Sequence, residues 1–151
     1  MGEMADGLPT DGLWNWAADR RLEPATVRSA IAAELGRPVA EMGSVDGGDA
    51  LLCDVWPVGG DYPTLIDCYL VPAAFDEVEV AAAVAVRLGA AVLLPDDTLN
   101  PTRYVRADPD GRRTTVHVDE TETDDGPERR HTRPCTGRDP ACAVAPERHA
   151  A

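Results

Sequence analysis

ALLCDVWPVGGDYPTLIDCYLV, residues 50–71, carries two alternating runs around a reversal rich in glycine and proline, and its reading decides the fold class. Strands are predicted over 50–56 and 64–71, with residues 57–63 forming the turn. Alternation separates Leu51, Cys53 and Val55 from Leu52, Asp54 and Trp56. In the second strand it separates Ile66, Cys68 and Leu70 from Leu65, Asp67, Tyr69 and Val71. The first set of each strand is uniformly apolar and is assigned to the core. A reversal centred on Gly60 and Asp61 then sets Cys53 opposite Cys68 and Asp54 opposite Asp67.

Two carboxylates thus share one outer site. Like charges opposed across a sheet are unfavourable, so either solvation or a cationic partner must relieve them. Trp56 and Tyr69 on the same face add rigid aromatic area of the kind that anchors protein interfaces. The competing reading is that a helix covers this face, because Leu52, Leu65 and Val71 share it. Cys53 and Cys68 read as small core thiols, with a cross-strand disulfide as the alternative.

Working outward, residues 1–12 are rich in Gly, Pro and Asp and read as loose, and Leu13, Trp14, Trp16 and Ala17 as a short helix or irregular cap. A helix is predicted over 24–35, with Pro24 in its first turn, Val27, Ile31 and Leu35 four apart, and Gly36 as its stop. A second is predicted over 74–88, where Asp76, Glu77 and Glu79 suit the positive end of the helix dipole and Gly89 ends it. Residues 91–94 read as a short buried strand, and 102–107 and 113–119 as a hairpin around Asp108-Pro109-Asp110-Gly111. From 121 to 151 there are five Arg, six acids and four Pro with almost no large aliphatic side chain, which reads as a disordered tail. The expected architecture is α+β: one domain over 13–120, a mostly antiparallel sheet of about five strands, and two main helices.

Charge sets the functional expectation. The chain has 151 residues and a formal net charge of -13, and all 14 of its cations are Arg. Between Ser29 and Thr102 twelve carboxylates face only Arg37 and Arg87. A body with that field attracts basic partners and repels nucleic acid, although an acid-rich surface also serves solubility or high salt. No signal-peptide core occurs in the first residues and no apolar run reaches membrane-spanning length, so a cytoplasmic protein without membrane contact is expected.

Catalytic and metal signatures fail on spacing. Asp108, Asp110 and Gly111 lack the further oxygen ligands of a calcium loop. His131, Cys135, Cys142 and His149 lack the close cysteine pair of a zinc site. Tyr104, Arg106 and His117 form a candidate catalytic or ligand-binding face, with His117 read as an outer-face histidine, but no nucleophile motif accompanies them. No cofactor is expected.

From Ala91 to Glu120 the order is buried strand, Asp96-Asp97 loop, Asn100-Pro101, aromatic strand, Asp-Pro-Asp-Gly reversal and Val116-His117-Val118-Asp119. In pattern this resembles small acidic α+β immunity proteins of bacterial toxin systems. The resemblance implies direct binding to a basic toxin and transfers no residue role. The expectation is therefore a non-catalytic acidic binding protein, with Asp54, Trp56, Asp67, Tyr69, Asp96 and Asp97 as its partner-binding patch and a basic protein as its partner. The alternatives are a small enzyme or ligand-binding domain using the Tyr104, Arg106 and His117 face, and a subunit that buries its hairpin against its own copy.

Overall fold

The computed structural model describes residues 12–41, 50–96 and 102–136. Its strands are β1 (Gly12–Ala18), β2 (Val39–Ala40), β3 (Leu51–Pro57), β4 (Thr64–Val71), β5 (Val92–Pro95), β6 (Arg103–Ala107), β7 (Arg113–Thr123) and β8 (Gly126–Pro134). Its helices are α1 (Pro24–Leu35) and α2 (Glu77–Leu88). The strands form one eight-stranded sheet in the order β2-β3-β4-β1-β5-β6-β7-β8, parallel between β2 and β3 and antiparallel elsewhere.

Both helices are built from local signals. Pro24 opens α1, and its apolar stripe of Val27, Ile31 and Leu35 is buried. Asp76 caps α2 by accepting from the Glu79 N–H at 3.1 Å. Glu77 and Glu79 in the first turn and Arg87 in the last complement the helix dipole. Together the helices cover one face of the sheet, over a core that includes Trp14, Trp16, Cys53, Ile66, Cys68 and Val92.

A sheet of about five strands was too few by three. The segment expected to be a helix or cap is β1, which lies between β4 and β5. Trp14, Trp16 and Ala18 are all buried on its helix side, and the two indoles stack with centroids 5.2 Å apart. The tail expected to be disordered from 121 instead continues β7 to Thr123 and returns as β8. What holds β8 is backbone pairing and buried arginine rather than an apolar stripe. The Arg129 side chain is only 11% exposed and its guanidinium stacks over the Tyr104 ring.

The sheet is open but curls away from its helices until β8 meets the β3–β4 turn. Gly60 bridges Arg129, and the Asp61 N–H donates to the Arg129 carbonyl at 2.8 Å. A Cβ at Gly60 would lie 2.9 Å from that carbonyl oxygen, so only glycine permits the approach. The curl encloses a second core on the far face: Ala17, Val58, Tyr62, Leu65, Leu93, Tyr104, Val116 and Val118, with Trp56 packed against it.

Candidate functional site

The predicted register of the first hairpin is observed, with Cys53 opposite Cys68 and Asp54 opposite Asp67. β1 adds Asn15 beside Asp67, so Asp54, Asp67 and Asn15 form one row across three strands. The row lies on the far face, since the neighbouring row of Trp56, Leu65 and Ala17 belongs to the second core. Asn15 Nδ2 donates to Asp67 Oδ1 at 2.7 Å, and the Tyr69 hydroxyl donates to Asp54 Oδ2 at 3.5 Å. Partial burial pushes the Asp67 carboxyl above the usual carboxylate range; the Asn15 bond opposes this, the Asp54 charge adds to it, and Arg129 offsets it from a distance.

Strict alternation fails at the end of β4. Residues Gly12 and Trp14 pair with Val71 and Cys68, so Leu13 faces two residues, Tyr69 and Leu70, across a β-bulge. Leu70 takes up the extra residue with a φ of 54°, a left-handed conformation that costs a leucine roughly 1–2 kcal/mol. As a result Leu70, expected in the core, is 69% exposed, and Val71, expected outside, is 1% exposed. Across the bulge Leu13 is 55% exposed. Leu13 and Leu70 are thus two of the three exposed large hydrophobic residues among the described ones, and both stand beside the acidic row. Sequence reasoning missed Leu70 because one residue inserted in β4 reverses the facing there, and Leu13 because its segment was read as a helix or cap and not as a strand.

Trp56 is removed from the open part of this face by the segment that had been read as tail. Its indole N–H donates to the Asp125 carbonyl at 3.0 Å, and Gly126 packs against Leu65 and Trp56. The cover expected of a helix comes instead from the β7–β8 turn. Asp96 belongs elsewhere too: its carboxylate pairs with Arg103 at 2.7 Å and its side chain is 8% exposed. Asp97 lies outside the described residues.

The alternative face does not assemble. Tyr104 pairs with Val116 and sits in the second core, whereas His117 pairs with Arg103 on the opposite side of the sheet and is 1% exposed. His117 Nδ1 lies 3.1 Å from the Thr102 hydroxyl. Tyr104 donates to Glu120 at 2.6 Å, and Arg106 binds Tyr62, Asp19 and Asp108, so both tie strands and turns together. Burial, then the bond to Glu120, raise the Tyr104 phenol above its usual range, which keeps it neutral.

Among the described residues no three His, Cys, Asp or Glu side chains converge as metal ligands would. His131 is bound to Asp119 at 3.0 Å, the Cys135 N–H donates to the Thr115 carbonyl, and Cys142 and His149 lie outside the described residues. Asp108 and Asp110 serve their turn, accepting from Arg106 and from the Arg112 N–H. Among the described residues no helix is long and apolar enough to cross a membrane. No protein family, curated protein or solved structure matches the chain, and nothing among these comparisons bears on the immunity-protein resemblance.

Proposed function

We propose that this chain is a non-catalytic, acidic protein-binding domain whose docking surface is the far face at the β1–β4 bulge: Asp54, Asp67, Tyr69, Leu13 and Leu70. The observation that carries the reading is the company those carboxylates keep. Opposed acids and solvent-exposed leucines are each unfavourable alone, and one of the leucines is displayed by a strained backbone. A partner presenting Arg or Lys beside an apolar side chain relieves both costs at once. Opposed like charges and a strained, exposed leucine that cluster on one patch are features a binding surface carries.

The net charge of -13 supports a basic protein partner and disfavours nucleic acid. A second copy of the chain fits poorly, because a two-fold contact through this patch would press Asp54 and Asp67 against their own images. An inhibitor or immunity-type role in the cytoplasm is the form of activity this surface suits.

The test is capture from the native host, with wild type beside Asp54→Arg/Asp67→Arg and Leu70→Ser. The reading expects a basic protein retained by wild type and lost from both variants while their folded circular dichroism is kept. A partner retained equally by all three would overturn it.

A further inference from the structure

Directly behind the acidic row, Cys53 and Cys68 are cross-strand partners with Sγ atoms 3.0 Å apart, and both are 0% exposed. Both are free thiols. Their pairing is of the non-hydrogen-bonded kind. The Leu51 N–H points away from β4 to Pro38, and the Cys53 carbonyl points the same way to accept from Arg28 at 3.3 Å. Such pairs bring Cα atoms to roughly 4.5 Å, within the span of about 4.4–6.8 Å that a disulfide bridges. No backbone rearrangement separates the two thiols from a bond.

A cavity lies along the α1 side of β3. Among the described residues β2 pairs with β3 at Leu51 and Leu52. Beyond them a cavity of about 330 Å³ opens between α1 and β3, lined by Pro24, Arg28, Glu41, Asp54, Val55 and Trp56. That cavity lies one residue from Cys53 along β3.

We infer that Cys53 and Cys68 are a reversible oxidation site, converted by a small peroxide into a cross-strand disulfide that locks β3 to β4 beneath Asp54 and Asp67. The Cys53 sulfur, on the strand that lines this cavity, attacks one oxygen of hydrogen peroxide. The O–O bond breaks, leaving Cys53 as a sulfenic acid and releasing one water. The Cys68 sulfur then attacks the Cys53 sulfur and displaces a second water as the S–S bond forms. In total two thiols lose two protons and two electrons, and the peroxide is reduced to two waters. Hydrogen bonding to Cys53, then burial, raise the Cys68 thiol well above its usual range, so Cys68 is not the sulfur that peroxide oxidises first. A thiol such as dithiothreitol reverses the bond by exchange.

The test uses the full chain carrying Cys135→Ser/Cys142→Ser, treated with hydrogen peroxide, then unfolded and alkylated. The expected result is loss of both alkylation sites within one monomer, a linked peptide pair containing Cys53 and Cys68, and recovery of both thiols with dithiothreitol. Closing a loop of this length raises the thermal midpoint by about 10 °C. Adding Cys68→Ser to the same background should abolish the rise and leave a trappable sulfenic acid at Cys53. Thiols still fully alkylated at doses that oxidise Cys135 in wild type would overturn the inference, as would sulfinic acids in place of the link or a link between chains.

Discussion

Replacing Asp67 by Asn should make this protein more stable at neutral pH, against the usual direction of a substitution in a central strand. The amide has the same shape, its oxygen still accepts from Asn15 Nδ2, and its new N–H groups can donate toward Asp54. What disappears is a charge directly opposite another of the same sign. Opposed like charges in a sheet cost about 0.2–1 kcal/mol; because this pair is partly solvated and Arg129 is lost as an attractive neighbour, a gain near 0.5 kcal/mol is expected. For a chain of this size that is a rise in thermal midpoint of about 2 °C.

The pH dependence tests whether the Asp67 charge is held at a cost, and salt separates repulsion from burial. Because the folded-state pKa of Asp67 is raised, the folded chain binds that proton more tightly than the unfolded chain does. Wild type therefore recovers the lost stability as pH falls through the folded pKa, and the recovery is complete below the unfolded value. The variant cannot recover it, so the gap between the two should be full at pH 7 and shrink on acidification. Added salt should also narrow it. Thermal melts of both proteins from pH 7 to pH 4, at low and high salt, give the answer. A variant less stable than wild type at pH 7, or a gap independent of pH and salt, would refute the claim that the acidic pair is held against a cost.

Three further outcomes follow from the bulge and the curl. Ile66→Ala should cost about 2–5 kcal/mol and Leu70→Ala less than about 1 kcal/mol in urea unfolding, although strict alternation puts both residues in one core. Gly126→Ala places a Cβ 2.9 Å from Leu65 Cδ1 at a φ of 125°, and should cost about 1–3 kcal/mol and red-shift Trp56 emission as the turn lifts from the indole. Tyr62→Phe removes a hydroxyl bonded to both Arg106 and Thr132 at 2.8 Å, and should cost about 1–2 kcal/mol with faster amide exchange in β8.

The hairpin at the centre of the chain was legible because period-two alternation and a Gly-Pro turn agree on one register. Both helices were legible for a similar reason: Pro24, the Asp76 cap and the terminal glycines mark their ends. β1 had the same signal, Trp14, Trp16 and Ala18 on alternate positions, but the loose composition before it drew the reading toward a cap. β8 had none. Its residues are charged or polar, and it is held by pairing with β7, by Arg129 over Tyr104 and by the turn at Gly60.

The candidate site was half legible. Asp54, Asp67 and Tyr69 were placed correctly, but a β-bulge is invisible to parity, so Leu70 was missed, and Leu13 was missed with the strand it belongs to. The misplacement of His117 has a different cause. Alternation correctly put it opposite Val116, but this sheet buries apolar residues on both faces, and the side bearing the valines is the one that also holds Tyr104.

The most direct test of the account is the association rate of the captured partner with wild type and with Asp54→Asn/Asp67→Asn, each measured across a salt series. An electrostatically steered encounter through this face predicts a rate that falls steeply with salt for wild type and is slower and much flatter for the variant. Identical rates and identical salt slopes for the two proteins would contradict it.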